Sequence, residues 1–393
     1  MMVCARCFFG NTKTDGILSV VRLLGMALLL VWSLRVAADA PAPALAGAEI
    51  AADPGGTTID EPEAIRIYKT PAERREAGLR TEIAPWLTVY GLAEAELYYD
   101  DFEVERGRDS DSGRDDVVTL QLGLVVDLFE LADAEAILEY ATDTDKVIAD
   151  EAFITFEHSA WALALGKQYT PFGVYFSNFA SDPIIEFGET RSNEVAKLSL
   201  TPAGASQLSL ALYRGRAKKR HEDGDDWNWV GAAEIEISED WSVGLSYQSD
   251  LADAGSRPLQ DDGNRYARRV PGISGYFLWA DEAFAASFEI VAATRSYAEL
   301  DRDRNQPSAW NAEVVRFLPS MDLELAVRFE GSHELEDAPE YQYGAALIWS
   351  PRRYASLTLE YLHGEFKKGL ATSAEDEPYT HVDHVGAKLS IEF

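Results

Sequence analysis

The stretch Val385-Gly386-Ala387-Lys388-Leu389-Ser390-Ile391-Glu392-Phe393 alternates apolar residues with polar or small ones and ends on an aromatic residue. Successive side chains of a strand point to opposite faces, so one face of this stretch is apolar and the other polar. In water, the apolar stripe would form an exposed sheet edge. In a membrane barrel it would face lipid, while the polar side would line the lumen and the last strand would pair with the first. The stretch therefore predicts a transmembrane β-barrel.

The same period of two recurs from Leu87 to the end of the chain. Trp241–Tyr247 and Met321–Phe329 show it clearly, whereas Glu313 and Arg316 fall on opposite faces of one less regular segment. The pattern predicts an all-β, antiparallel barrel over residues 87–393 with about 16 strands. We expect these strands at 87–101, 116–128, 131–141, 150–157, 160–169, 193–201, 207–215, 227–237, 241–249, 270–280, 283–294, 310–317, 321–331, 341–349, 353–363 and 382–393.

The connections between these segments alternate in length. Short ones such as 238–240, 318–320 and 350–352 alternate with long polar ones at 102–115, 216–226, 250–269, 295–309 and 364–381. Outer-membrane barrels have short periplasmic turns and longer extracellular loops, so the alternation predicts an even strand number with both ends periplasmic. Tryptophans near strand ends would form the two interfacial girdles: Trp227, Trp229, Trp241, Trp279, Trp310 and Trp349. A soluble sandwich does not explain these features, and we expect a bacterial outer-membrane protein.

The beginning of the chain is typical of an export signal. Residues 23–34 form an apolar run after basic residues, and Val36-Ala37-Ala38 suits cleavage after Ala38 rather than after Ala40, which precedes Pro41. The run is too short to span a bilayer as a helix. We therefore expect residues 1–38 to be a signal peptide. Both cysteines of the chain, Cys4 and Cys7, would be removed with it, and the net charge of −32 would become about −35. That charge argues against nucleic-acid binding.

Residues 39–86 are expected to form a periplasmic segment before the barrel. Residues 39–60 are rich in Ala, Pro, Gly and Asp. Thr70-Pro71-Ala72-Glu73 begins like a helix, with a cap, a proline at the first helical position and a glutamate three residues after the cap, and Gly78 would end it. This single short helix either docks at the periplasmic mouth of the barrel or is a solvated turn.

The connection 170–192 differs from the other long loops. It follows the fifth predicted strand, is rich in aromatic residues and has no charge before Asp182. An apolar loop on the extracellular side should be sheltered, so we expect this third extracellular loop to fold into the lumen. The residues predicted to form the constriction or the solute path come from this loop and from the barrel wall: Tyr175, Phe179, Asp182, Glu186, Glu189, Arg191, Lys197, Arg328, Glu360 and Lys388.

Barrels of about 16 strands enclose an aqueous channel unless something narrows it. The predicted inner faces carry more acids than bases. The acids are Glu94, Glu96, Glu135, Glu139, Glu234, Glu236, Glu324 and Glu360, against Lys197, Arg328 and Lys388. Such a lumen would favour cations or zwitterions, although inward charges that merely solvate a pore would give the same pattern.

The chain also resembles a known family. Gly166-Lys167-Gln168-Tyr169-Thr170-Pro171-Phe172-Gly173, then Ser181-Asp182-Pro183 and Gly188-Glu189-Thr190-Arg191, resemble the signature of the LbtU-type siderophore porins, as do 70–78 and Pro85-Trp86-Leu87. The resemblance covers roughly residues 65–393. It implies a TonB-independent, porin-like outer-membrane channel for iron-siderophore uptake. Family members often carry a coiled coil before the barrel, and residues 39–65 show no heptads. The acidic lumen fits poorly with ferric siderophores that carry carboxylates.

The sequence does not favour an enzyme. The six histidines are scattered, and neither a Ser/His nor an Asp/His constellation nor a phosphate loop is apparent. His381-Val382-Asp383-His384 has a weak metal-binding spacing, and exposed loop histidines are the simpler interpretation; no cofactor or metal is expected. A general diffusion porin and a structural or adhesion barrel remain as alternatives. The expected partners are outer-membrane lipid, a small solute and, through Phe393, the barrel-assembly machinery. The sequence leaves open whether barrels form a homo-oligomer.

Overall fold

The computed structural model describes residues 80–105, 111–128, 132–202, 206–218, 226–238, 240–254, 259, 266–352, 354–373 and 376–393. The described residues form 17 antiparallel strands and three short 3-10 turns. The strands are β1 Thr81–Ala84, β2 Leu87–Val104, β3 Asp111–Asp127, β4 Asp133–Ala141, β5 Lys146–His158, β6 Trp161–Tyr169, β7 Arg191–Leu200, β8 Ser206–Arg214, β9 Trp227–Ser238, β10 Trp241–Gln248, β11 Gly272–Ala280, β12 Phe284–Ala293, β13 Ser308–Leu318, β14 Leu323–His333, β15 Tyr341–Arg352, β16 Ala355–Glu365 and β17 Tyr379–Glu392.

Each strand from β2 to β16 pairs with the next one along the chain, and β17 pairs with β2. The predicted all-β barrel of about 16 strands is therefore confirmed as a closed ring of 16 strands, β2 to β17. Strand β1 is a short addition that pairs with the start of β2, where Thr81 faces Val89. The sequence did not predict it. Among the described residues, no helix combines the length and the hydropathy needed to cross a bilayer.

The last residue takes part in the closure of the ring. The Phe393 amide donates to the Gly91 carbonyl at 3.0 Å, and the Gly91 amide donates to the Phe393 carbonyl at 2.7 Å. The Phe393 ring lies over Gly91 so closely that a Cβ at Gly91 would meet a ring atom at 2.2 Å. The alternating sequence of the last strand and the missing side chain at Gly91 together allow the two ends of the sheet to join.

Strand β14 shows how the two faces of the barrel differ. Val327 and Phe329 expose 55% and 48% of their surface, whereas Arg328 and Glu330 on the opposite face expose 2% and 0%. Large apolar residues are exposed in the same way along the other strands, among them Leu245, Leu359 and Val385. An apolar outer face around a closed barrel is the arrangement that lipid requires. The protein is accordingly a bacterial outer-membrane barrel.

Arg316 belongs to the outer face. Its guanidinium lies 5.0 Å from the centre of the Phe284 ring, near the short turn Pro319–Met321, while Glu313 on the same strand is buried on the inner face. Long basic side chains near the membrane boundary can reach the interface with their charged ends. The irregular alternation of 310–317 therefore reflects an interfacial arginine and does not interrupt the strand.

Two predicted loops differ from expectation. Most of 102–115 belongs to strands β2 and β3, whose ladder continues to the pair Phe102 and Asp111. Most of the described part of 250–269 is not solvated, because Leu251, Ala252 and Tyr266 are buried and only 267–269 are exposed. Asp250 starts the turn Leu251–Asp253 by accepting a hydrogen bond from the Ala252 amide. The predicted signal peptide 1–38 and the helix at 70–78 lie outside the described residues.

Candidate functional site

The connection between β6 and β7, residues 170–190, is called the β6–β7 loop below. It is two residues shorter at its far end than the predicted connection 170–192, because Arg191 is the first residue of β7. The backbone of Gly173 has φ +75°, and a Cβ there would lie 2.6 Å from the Tyr175 ring and 2.8 Å from Oε1 of Glu289. Only glycine tolerates both conditions. The loop then runs along inner-face side chains and returns through the 3-10 turn Ile184–Gly188.

Four glutamates on the inner face accept hydrogen bonds from backbone amides of this loop. Glu289 on β12 accepts from Val174 at 2.9 Å and Tyr175 at 2.8 Å. Glu313 on β13 accepts from the Asn178 amide at 2.9 Å.

The other two contacts involve the second half of the loop. Glu330 on β14 accepts from the Ile184 amide at 2.7 Å, and Glu360 on β16 accepts from the amides of Ala180 and Ser181 at 2.5 and 3.0 Å. Hydrogen bonds with a carboxylate acceptor are about twice as strong as neutral ones. Below, these four glutamates are called the anchor glutamates: Glu289, Glu313, Glu330 and Glu360.

Arg328 lies between two of the anchors. Its Nε donates to Glu313 at 2.9 Å, its Nη1 donates to Glu330 at 3.3 Å, and its side chain has no exposed surface. It also donates to the Ser181 carbonyl at 2.9 Å and to the Ser177 hydroxyl. Because two carboxylates and two loop groups surround the guanidinium, the buried charge is compensated on all sides.

Phe179 completes this contact from the loop side. Its ring centre lies 4.2 Å from the Arg328 guanidinium carbon, a cation–π geometry. The ring also packs with Ala285, Val315 and Leu362 of the wall. Phe179 is thus buried against β12–β16, which limits the surface that it can offer to a solute.

The tip of the loop also touches β17 and β2. The Ala180 carbonyl accepts from the Tyr98 hydroxyl at 3.0 Å and from Nζ of Lys388 at 3.4 Å. On the inner face beside it, His384 bridges two carboxylates, with Nδ1 2.6 Å from Asp100 and Nε2 3.1 Å from Glu360. His384 is therefore a half-buried residue of strand β17 beside the loop tip. Its interpretation as an exposed loop histidine is wrong.

The base of the loop is held by apolar packing. Phe172, Ile185 and Phe187 are buried in a cluster with Tyr213 and Leu251, among others. A second contact from the described part of 250–269 supports this cluster, because Asp253 accepts hydrogen bonds from the Tyr213 hydroxyl and from several neighbouring groups. The extracellular side of the barrel therefore contains a packed core in addition to the polar contacts of the loop tip.

The loop acids differ from the anchors. Asp182 is exposed, and Glu186 and Glu189 are half-buried. Burial and the negative charge of Asp182 raise the pKa of Glu186 well above its ordinary value. The same two causes raise the pKa of Glu189 to about 8. The number of charges that this acidic group carries therefore changes near neutral pH.

The predicted site residues thus divide into groups. Tyr175, Phe179, Arg328, Glu360 and Lys388 all take part in the loop–wall contacts described above. Arg191 pairs with Asp150 of β5 and stacks on Tyr169 at 5.4 Å, away from these contacts. Lys197 lies half-buried on the inner face of β7. Whether any of these residues contacts a solute stays a prediction.

Sequence reasoning missed three of the four anchors: Glu289, Glu313 and Glu330. Each is an acid on the polar phase of a strand, as in Ser287-Phe288-Glu289 and Ala326-Val327-Arg328-Phe329-Glu330. That signal marks an inner-face position but does not tell which wall the loop reaches.

Comparisons place the fold among known outer-membrane barrels. The outer membrane channel DcaP of Acinetobacter baumannii shares 15% identity with a TM-score of 0.54, covering 80% of this chain and 99% of its own. The anion-selective porin from Comamonas acidovorans shares 12% identity with a TM-score of 0.56, covering 78% of this chain and 99% of its own. Salmonella typhi OmpF in complex with daunomycin shares 12% identity with this chain and has a TM-score of 0.56. The match covers 80% of this chain and 100% of the OmpF chain. A scan of protein-family models found no match to the sequence, and neither did a search of curated proteins. At these identities the comparisons establish a porin-type barrel fold.

Proposed function

We propose that the protein is an outer-membrane channel for a small solute and that the β6–β7 loop sets its narrowest point. The observation that carries the proposal is the row of anchor glutamates. The loop leaves the barrel wall at β6, yet its amides bind carboxylates on β12, β13, β14 and β16. A segment joining strands β6 and β7 reaches those inner-face groups by crossing the lumen.

Barrel size supports the same proposal. Sixteen strands enclose a lumen too wide for wall side chains to fill, so a segment across it determines what passes. A purely structural or adhesion barrel has no need of an inner loop fixed by four carboxylates. Two of the structural neighbours are described as a channel and as a porin, which agrees with transport.

The distribution of charge suggests the class of solute. The anchor glutamates are engaged with loop amides, whereas Asp182, Glu186 and Glu189 of the loop lie outside that row and add negative charge near the constriction. Negative charge in a narrow, poorly screened passage favours cations or zwitterions over anions.

The LbtU-type resemblance further suggests an iron-siderophore as the solute, taken up without TonB. The loop acids favour siderophores whose ferric complexes are cationic or neutral over those with free carboxylates. A general diffusion porin is the second candidate function, because the same loop arrangement would serve unselective passage of small polar solutes.

Single-channel conductance in planar bilayers tests the proposal. Deleting 174–186 should raise the conductance of a folded barrel, whereas deleting 299–303 from the loop between β12 and β13 should change it little. Cationic, neutral and anionic ferric siderophores are then added to the wild-type channel. Concentration-dependent block by one charge class supports a selective importer, and block by none favours the general porin. Unchanged conductance after deletion of 174–186 would overturn the role of the loop.

A further inference from the structure

On the outer face of the barrel, a cluster of potential metal ligands lies apart from the channel. His363 and Glu365 are two residues apart on β16, so their side chains share a face. His381 on β17 is the register partner of Glu365. One ligand atom from each of these three residues lies within 4.8 Å of the others. The β-sheet geometry thus brings together three residues that are 18 positions or fewer apart in the sequence.

We propose that His363, Glu365 and His381 form a binding site for a divalent transition-metal ion such as Zn²⁺ or Cu²⁺. Two imidazoles and a carboxylate are a donor set that zinc and copper accept, whereas calcium and magnesium prefer oxygen ligands alone. The two histidines are half-buried and Glu365 is exposed, so a fourth position stays open to water or to an outside ligand.

Acidic residues lie beside both imidazoles, and one of them is within hydrogen-bond distance. Nδ1 of His363 lies 2.8 Å from Oδ1 of Asp383, which also accepts a hydrogen bond from the Tyr361 hydroxyl at 2.6 Å. Nδ1 of His381 lies 3.1 Å from the Thr380 hydroxyl and 3.6 Å from Glu103 on β2, the latter beyond hydrogen-bond distance. A carboxylate at one ring nitrogen orients the imidazole, leaves the other nitrogen for a metal and raises its basicity. The supporting groups of a metal site are therefore present beside the ligands.

The location separates this site from the proposed channel. Tyr343 and Tyr361 on the same face expose about half of their surface, as residues of an interfacial aromatic belt do. His384, only three residues after His381, lies on the opposite, inner face and binds Glu360. A metal bound at His363 and His381 would thus lie at the extracellular rim, outside the lumen. The proposal does not depend on what the channel transports.

Metal titration of the mature, untagged protein in detergent tests the site. Zn²⁺ binding is measured by calorimetry, and the nitrogen ligands of bound Cu²⁺ are counted by electron paramagnetic resonance. We expect one tight site with two imidazole nitrogens. His363→Gln and His381→Gln should each weaken binding at least 10-fold and leave one nitrogen, and Asp383→Asn should weaken it about 10- to 100-fold, as changes in supporting carboxylates do elsewhere.

His333→Gln is the matched control, because His333 is an exposed histidine on the outer side of β14 with a single carboxylate, Glu334, 3.5 Å away. It should bind the metal as the wild type does. All variants should keep the wild-type conductance, which shows that they are folded. Equal affinity in the wild type and the His363→Gln/His381→Gln double variant would overturn the proposal, as would loss of the tight site in His333→Gln.

Discussion

Two walls of the barrel carry inward glutamates, and they use them differently. On β2–β4, these acids pair with neighbouring wall side chains. Glu94 accepts from Ser390 at 2.7 Å and Glu139 from Gln121 at 2.8 Å. On β12–β16, the anchor glutamates instead bind backbone amides of the β6–β7 loop. Inward glutamates therefore bind neighbouring wall side chains on one side of the barrel and fix the β6–β7 loop on the other. For this reason, the number of inward acids does not equal the number of negative charges that a solute meets.

The largest effect is expected from Arg328. Replacing it by methionine would leave Glu313 and Glu330 buried without their cation. Breaking a buried ion pair in this way typically costs about 3–5 kcal/mol. Arg328→Met should therefore lower the free energy of unfolding by that amount in a urea titration that follows the heat-modifiable gel band.

Arg316→Met is the control for Arg328→Met, since Arg316 lies on the outer face over Phe284. Exposed cation–π contacts contribute about 0.5–1 kcal/mol, so this variant should lose no more than that. If both variants lowered the free energy of unfolding equally, the contacts of Arg328 with the anchor glutamates would not stabilise the barrel.

The second-largest effect is expected from replacing an anchor glutamate. Glu289→Gln keeps the shape of the side chain but removes the charge that binds the amides of Val174 and Tyr175. A hydrogen bond to a charged group contributes about 1.5–3 kcal/mol, so the population with a detached loop should rise about 10- to 100-fold. Single-channel recordings should show more frequent transitions to a higher conductance.

Glu139→Gln on the opposite wall is the matched control, because its partner is Gln121 rather than the loop. Its recordings should resemble those of the wild type. If Glu139→Gln showed transitions to a higher conductance as often as Glu289→Gln, the distinction between the two walls would fail.

A smaller effect should come from the acids of the β6–β7 loop. In Asp182→Asn/Glu189→Gln, the constriction loses negative charge where screening by salt is weak, so the reversal potential in a salt gradient should shift towards anions. Asp301→Asn/Asp303→Asn changes two exposed acids of the loop between β12 and β13, and screening should leave the potential almost unchanged. Equal shifts would place Asp182 and Glu189 outside the solute path.

The smallest expected effect is a dependence on pH. The pKa of Glu189 is raised to about 8, so the group is mostly neutral at pH 7 and becomes charged as the pH rises through 8. Cation preference should therefore increase between pH 7 and pH 9. Glu189→Gln should remove most of this increase, and a wild-type reversal potential that is constant over this range would contradict the assignment.

The barrel could be predicted from the sequence because the period of two is a local property, repeated in every strand and interrupted by short turns. Strand β1 was missed because four residues such as Thr81–Ala84 show too little alternation. The anchors could not be assigned, because the position of Glu289 or Glu330 opposite the loop depends on barrel closure and on the path of the loop. The burial of Leu251 and Tyr266 was missed for the same reason, since the charged and polar composition of 250–269 resembles that of a solvated loop.

The central claim, that the β6–β7 loop crosses the lumen to the β12–β16 wall, is tested most directly by cross-linking. Cys4 and Cys7 are the only cysteines of the sequence and can be replaced by serine. In that background, Ser181→Cys is combined with Glu360→Cys, since the Ser181 amide lies 3.0 Å from Glu360. A short thiol-reactive cross-linker should join this pair in the folded barrel, as seen by a gel shift under denaturing conditions. Ser181→Cys with Glu139→Cys should stay unlinked. Linkage of the Glu139 pair, or failure of the Glu360 pair in a folded protein, would contradict the account.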